Sequence, residues 1–315
     1  MCAAPVKLII DTDPGVDDAM ALLLALASPE LAIVGVTALF GNGPDVAHMA
    51  RNAGALLQLA GRPEIPVAVG ANRPLMRPYA GGGALVHGAN GLGGADLPAP
   101  RVPPVATPAA WWIVEQARAA PGEITLVTLA SLTNVALALQ LEPQLPTLIP
   151  RLVMMGGAVN TPGNVTPVAE ANVYNDPEAA HMVFAAGWEI VMAGLNVTCA
   201  VTAGDELLDG LRDLGNASGR FLSAAGRHYL DFYRNFGRPG MCLHDVHPVA
   251  YLLRPALYTA RRACVDVALA DDIARGQTVA DFRGQWERPL QTEILETVDG
   301  AAFLDLFMAR IATLP

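Results

Sequence analysis

From Ile10 to Ala19 the chain reads Ile-Asp-Thr-Asp-Pro-Gly-Val-Asp-Asp-Ala, so four carboxylates (Asp11, Asp13, Asp17, Asp18) fall within eight positions. The apolar residues Val6, Leu8, Ile9 and Ile10 precede them, and the apolar run 19–27 follows. Carboxylates this close repel one another, and burial raises their pKa values further. A solvated, helix-capping turn is the plain alternative, and the two apolar flanks argue against it. A cation is therefore expected there. An all-oxygen donor set suits calcium or magnesium rather than zinc.

The elements that position these acids follow from periodicity. Residues 6–10 read as a strand, Pro14-Gly15 as a turn, and 16–27 as a helix ending near Ser28-Pro29. A second apolar strand is expected over 31–40, a helix over 45–60 and a short strand over 66–70. Residues 71–108 lose all periodicity and hold Gly81-Gly82-Gly83, His87-Gly88 and Gly93-Gly94, which reads as a functional lid. Alternation then resumes with a helix over 109–119, a strand over 124–129, a helix over 134–141 and a strand over 151–155. A loop over 158–175, a helix capped by Asp176-Pro177 and a strand over 188–193 come next. Beyond Thr202 helices are expected over 202–214, 219–236, 246–253 and 301–312, with a strand-like run over 263–268 and a further segment over 277–282. Repeated strand–helix units predict an α/β fold with an open, mostly parallel central sheet of Rossmann-like repeats, and extra helices in the C-terminal third. No repeat or low-complexity linker divides residues 1–315, so one domain is expected.

The 315 residues are 52% hydrophobic and 16% charged, enough for a large core and far from a disordered composition. The formal charge of -10, without a basic run, speaks against nucleic-acid partners. The run 19–27 is too short to span a membrane, and Met1–Pro5 lacks the charged and apolar parts of a secretory signal; a cytoplasmic enzyme is expected. Cys2, Cys199, Cys242 and Cys264 form no CxxC pair and no zinc spacing, and read as buried free thiols. Lys7 is the sole lysine.

In open α/β sheets ligands bind beyond the carboxyl ends of the strands. That rim collects the four aspartates, Asn42, Leu129, Asn164, Glu170, Asn172 and His244-Asp245. Acids and amides with almost no base suit a cation and a hydroxyl-rich ligand such as a sugar. Phosphate is poorly served, since no P-loop with its lysine and no complete dinucleotide fingerprint is present.

Asp11-Thr-Asp13-Pro-Gly-Val-Asp17-Asp18-Ala resembles the amino-terminal motif of the nucleoside hydrolases, the N-ribohydrolases of the inosine–uridine type. The resemblance extends through Gly41-Asn42, His87-Gly88, Leu132-Thr133-Asn134, Met154-Met155-Gly156-Gly157, Gly163-Asn164, Val168-Ala-Glu170-Ala-Asn172, Asp176-Pro-Glu-Ala-Ala180 and His244-Asp245. Together these motifs span most of the chain in the family's order.

The resemblance implies a calcium ion held by Asp13, Asp18, Asp245 and the backbone carbonyl of Leu129, with room left for a water and two ribose hydroxyls. It implies ribose contacts from Asp17, Asn42, Asn164, Glu170 and Asn172, with Met155 packed on the sugar. Asp13 would accept a proton from the calcium-bound water, which attacks the anomeric carbon opposite the base and so inverts it. His244 is the best-placed acid for the leaving base. Tyr229 and Tyr233, one helical turn apart, would flank the base or else serve as core residues, and His87 would close over it. His48, His181, His228 and His247 read as structural, as does Asp11. The family also implies a homodimer or homotetramer acting on a small ribonucleoside.

Two other classes remain open to the sequence. A haloacid dehalogenase-like phosphohydrolase also opens with Asp-x-Asp after its first strand, and would use Asp11 as nucleophile and Asp13 as acid–base. Such enzymes resemble one another in a downstream lysine, which this chain lacks after Lys7. A calcium-dependent nucleoside- or sugar-binding protein without turnover is the third.

Overall fold

The computed structural model of the chain describes residues 4–315; Cys2 and the start of the Met1–Pro5 stretch lie outside them. Among these residues the strands are β1 (Val6–Thr12), β2 (Leu31–Ala38), β3 (Val67–Val69), β4 (Ile124–Thr128), β5 (Arg151–Met155), β6 (Glu189–Ala193), β7 (Thr202–Ala203), β8 (Met241–Cys242), β9 (Tyr258–Val267), β10 (Thr278–Asp281) and β11 (Thr292–Val298). Nine of them form one sheet in the order β10-β9-β11-β6-β5-β4-β1-β2-β3. From β11 to β3 every pairing is parallel, and β9 and β10 add an antiparallel edge.

The order 3-2-1-4-5-6 is that of a doubly wound sheet, and it follows from how β1 buries its side chains on both faces. Leu8 and Ile10 enter one core with the helices Val16–Leu26, Val46–Leu59, Ala217–Asn235, Val246–Leu253 and Gly300–Ile311. Ile9 enters the other, with the helices Ala109–Ala119, Thr133–Leu141 and Pro177–Ala185. The chain leaves β1 toward the first face and β4 toward the second. The crevice that this reversal opens lies at the carboxyl ends of β1 and β4, beside Asp11, Asp13 and Leu129.

The helix Val16–Leu26 is buried on every side from Val16 to Ala25. Each large apolar residue placed there contributes roughly 1.5–3 kcal/mol of transfer free energy. The same burial leaves Asp17 and Asp18 in its first turn without access to bulk water.

Several segments depart from their sequence reading for physical reasons. Residues 292–298, which carried no strand signal because of Glu293 and Glu296, form β11 between β6 and β9. There Thr292, Ile294 and Leu295 are buried while Glu296 faces out. The strand expected from Ala263 begins at Tyr258, because its first half is an exposed run with Arg261 and Arg262 that pairing alone holds extended. The helix expected from Thr202 begins at Asp205; Thr202 and Ala203 instead pair with Cys242 and Met241. Short helices at Gly83–His87 and Ala171–Asn175 interrupt the two long loops. No helix among the described residues is long and apolar enough to cross a membrane.

Gly35 in β2 marks a close approach. A Cβ there would lie 2.3 Å from Cη2 of Trp112, on the helix covering that face. Gly35→Ala is therefore expected to destabilise the fold by about 1–3 kcal/mol through overpacking, read as a lower urea midpoint at unchanged slope.

Candidate active site

Each acid of the opening motif is fixed by a different local device. Asp11 is the last residue of β1 paired with β4, and its Oδ1 accepts from Asn134 Nδ2 at 2.8 Å and from the Thr37 hydroxyl. Burial nonetheless raises its pKa to about 7. It is wholly buried and tied to β2 and the helix after β4, which makes it scaffold and leaves it no access as a phosphohydrolase nucleophile. Asp18 sits at the third position of its helix. Its Oδ2 accepts the Gly15 amide at 2.9 Å and its Oδ1 the Thr12 hydroxyl. That is the return half of a capping box. Capping and site chemistry thus share one carboxylate.

Asn42, on the loop after β2, binds the cluster from above. Its amide N–H donates to Asp13 Oδ2 at 3.1 Å, and its Nδ2 donates to the Asp13 carbonyl at 3.0 Å and to Asp18 Oδ2 at 3.2 Å. Only glycine permits that approach, since a Cβ on Gly41 would fall 1.6 Å from Asp13 Oδ2. Asn42 Oδ1 remains for a ligand hydroxyl.

Asp245 reaches the same spot from the start of the helix Val246–Leu253, more than two hundred residues on. Carboxylate oxygens of Asp17, Asp18 and Asp245 lie within 4.8 Å of one another. Asp13 adds its charge to theirs. Burial is the largest cause that raises each pKa, and neighbouring carboxylates add to it for Asp13, Asp17 and Asp245. Asp13 and Asp245 are pushed far up, and Asp17 to about 8. Asp18 is also raised, against its several hydrogen-bond donors.

This nest fits a hard cation. Asp13 Oδ1 is buried without any hydrogen-bond partner. A cation with bonds of about 2.3–2.6 Å bridges oxygens spaced as these are. The triplet within 4.8 Å includes Asp17 rather than Asp13, yet within the nest Asp13 holds an oxygen without a partner, as Asp11 Oδ2 does outside it.

A second group of residues stands on the β4–β5 side. The Leu129 carbonyl accepts from Asn172 Nδ2 at 3.0 Å, and the same amide lies 3.3 Å from both the carbonyl and the sulfur of Met155. Glu170 is buried with both oxygens engaged. Oε1 accepts the Asn172 amide at 2.8 Å, and Oε2 those of Gly157 at 2.8 Å and Val173 at 3.2 Å. It clamps the turn after β5 to the helix Ala171–Asn175. Asn164 is exposed and accepts the Ala171 amide at 2.9 Å, so its visible contact is with that helix.

The third group is a wall of rings. His87 is buried; its Nδ1 accepts the Val16 amide at 3.1 Å and its ring stacks on Tyr229 at 5.2 Å. That bond requires Nδ1 to be unprotonated, in line with a pKa that burial lowers to about 3. The 3.8 Å approach to Asp17 is accordingly not an ion pair. The Tyr229 side chain also lowers the Asp17 pKa, against the burial that raises it. The Tyr229 and Tyr233 hydroxyls lie 3.4 Å apart, Tyr233 Oη lies 2.7 Å from His244 Nε2, and His244 Nδ1 lies 2.7 Å from the Thr198 hydroxyl. Burial, then the charge of Arg238, lowers the His244 pKa to about 3. Both tyrosines are buried, and their hydroxyls stand between Asp17 and His244.

Five supporting residues escaped sequence reasoning: Thr12, Thr37, Asn134, Thr198 and Arg238. Thr12 stands between two site acids and Asn134 within the Leu-Thr-Asn motif, so both had a signal. Thr198 and Arg238 had none.

The family model described as inosine-uridine preferring nucleoside hydrolase matches residues 8–305. The chain is 40% identical over 279 residues to uridine nucleosidase 1 of Arabidopsis thaliana, covering 87% of this chain and 82% of that protein. It is 38% identical to the pyrimidine-specific ribonucleoside hydrolase RihA of Salmonella paratyphi C, covering 96% and 97%. Among solved structures, the purine-preferring ribonucleoside hydrolase from Gardnerella vaginalis superposes with a TM-score of 0.92 at 32% identity, covering 97% of this chain and 98% of that one. The nine-stranded sheet, the acid nest at its switch point and these matches agree: the chain belongs to the inosine–uridine preferring nucleoside hydrolase family.

Proposed function

We propose that the protein hydrolyses the N-glycosidic bond of ribonucleosides to free base and ribose, as one α/β unit built on the continuous sheet. The observation that carries this is the convergence of the buried Asp17, Asp18 and Asp245 carboxylates, with Asp13 close enough to add its charge and one of its oxygens left unsatisfied. Family membership sets the reaction class. Incubation with uridine, inosine and a phosphate ester tests it: reducing sugar from the nucleosides is expected, and phosphate release without ribose, or binding without product, would overturn it.

Calcium is the ion assigned to the nest, held by Asp13, Asp18, Asp245 and the Leu129 carbonyl. When bound it supplies a lowered water pKa and two sites for ribose hydroxyls. Asp13 accepts the proton of the attacking water, directed at the anomeric carbon from the face opposite the base. Asp17 and Asn42 Oδ1 orient the ribose hydroxyls. Asn172 and Met155 line the sugar, and Glu170 and Asn164 hold the loop that carries them. Tyr229, Tyr233 and His87 wall the base. His244 is the acid for the leaving base, acting through the Tyr233 hydroxyl. Its ring is neutral in the resting site, and its protonated form is a strong acid beside the departing group. A cytoplasmic location and a homodimer or homotetramer accompany this assignment; light scattering on the purified protein reads the assembly.

Asp13→Ala should lose at least the 10²–10⁴-fold that a positioned base contributes, with folding intact by circular dichroism. His244→Ala should lose a comparable factor on uridine and inosine, but little on a nitrophenyl riboside, whose leaving group needs no proton. Equal losses on both substrates would remove His244 from the acid role.

Chelation should abolish turnover and lower Tm, and calcium should restore both. The pH dependence of the stripped protein has a definite sign. Asp17 binds its proton more tightly when folded, at about 8 against 3.8, so stability falls as pH rises through that interval. Calcium should flatten this slope. A Tm that rises with pH in the chelated protein would contradict the buried acid nest.

A further inference from the structure

Beside the ring wall lie two cysteines that the hydrolysis does not use. Cys199, Cys242 and His244 bring two sulfurs and a ring nitrogen within 4.8 Å of one another. Cys199 follows the short helix Leu195–Thr198, and Cys242 lies in β8, where it pairs with Thr202 of β7. The Cys242 sulfur lies within 4.8 Å of the Cys199 sulfur, and Arg238 Nη1 donates to Cys242 at 3.6 Å. Cys199 is half-buried, whereas Cys242 is fully enclosed.

The two thiols are chemically unequal. The neighbouring Cys242 thiol and the Arg238 charge hold Cys199 down to about 6, and the neighbouring Cys199 together with burial pushes Cys242 up. The thiolate is the reactive form in exchange chemistry. The accessible sulfur is thus the nucleophile, and the buried one stands ready to resolve. A thiophilic metal is the other occupant of such a cluster. Both ring nitrogens of His244 are already taken by Thr198 and Tyr233, at 2.7 Å each. A metal would have to break one of those bonds. A disulfide breaks neither.

We propose that Cys199 and Cys242 form a reversible dithiol–disulfide pair, oxidised by a low-molecular-weight disulfide and reduced by small thiols. The Cys199 thiolate attacks one sulfur of the small disulfide, displacing a thiolate and leaving a mixed disulfide on Cys199. Cys242 gives its proton to that displaced thiolate and attacks the Cys199 sulfur, expelling the second small thiolate, which takes a proton from water. Two protein thiols are oxidised to one disulfide, and one small disulfide is reduced to two thiols.

The cross-link would join the residue after Thr198 to the residue two before His244. It draws the sulfurs to about 2.05 Å, and so moves the two backbones that hold His244 against Tyr233. A displacement of about 1 Å in catalytic geometry costs on the order of 10²-fold in rate, and that loss is expected in kcat. This consequence rests on the role given to His244 above; the disulfide itself does not.

The test treats the calcium-loaded full chain with excess glutathione disulfide. Intact mass, peptide mapping and uridine turnover are read before and after dithiothreitol. A Cys199–Cys242 link that forms, lowers kcat and is reversed by the reductant is expected, with neither change in Cys199→Ser or Cys242→Ser. Absence of the intrachain link, or a mixed disulfide on Cys199 that never resolves, would overturn the pair. Zinc released from the purified protein on thiol modification would also overturn it, and make the cluster a metal site. A mapped link with unchanged turnover keeps the pair and removes its coupling to His244. Because mapping needs no turnover, failure of the hydrolase assignment would be seen separately.

Discussion

Mutual repulsion among buried carboxylates is the constraint that the rest of this structure answers. Two charges 4 Å apart at an effective dielectric of 20 oppose each other by about 4 kcal/mol, and here four acids share one pocket. A hydrogen bond to a charged group recovers only about 1.5–3 kcal/mol net. Thr12, the Gly15 amide and Asn42 therefore position the acids without neutralising them. Asp11 is the exception that clarifies the rule. It is held apart by Thr37 and Asn134 and takes no share in the nest. The remaining arrangement is one whose repulsion a bound cation would relieve.

The site has two sides built by different means. On the acid side, backbone groups and glycines set the geometry: the helix start at Val16, the Gly15 amide and the bare Cα of Gly41. On the base side, side-chain hydroxyls and rings do so, in a run from Asp17 through Tyr229 and Tyr233 to His244 and Thr198. The first side is rigid because the fully enclosed helix Val16–Leu26 cannot move without opening the core. The second hangs on the helix Ala217–Asn235 and on the two-residue ladder of β7 and β8, a slighter support.

Most of the sheet was legible because its strands are buried on both faces and read as plain apolar runs. β11 was not: a strand that mixes glutamates with buried Ile294 and Leu295 has no clean period, and only its neighbours β6 and β9 define it. The acids were legible as a cluster, since their spacing is local. Their division of labour came from the family resemblance and not from spacing. Asp11 and Asp18 are alike in local pattern, and in the structure Asn134 and Thr37 hold the first while Gly15 and Thr12 hold the second. Glu170 and Asn164 illustrate a further limit. The sequence marks them as polar residues at the rim, but backbone amides occupy the oxygens of the first, and the one contact of the second is with a helix start. Thr198 and Arg238 bear on His244 through contacts that no local pattern announces.

Asp245 lies more than two hundred residues beyond Asp18. A ribosome working at roughly 5–20 residues per second needs on the order of ten to forty seconds to pass from one to the other. Throughout that interval the nascent chain carries Asp13, Asp17 and Asp18 without the carboxylate that completes their nest. The acid nest is whole only once the last third of the polypeptide has been made.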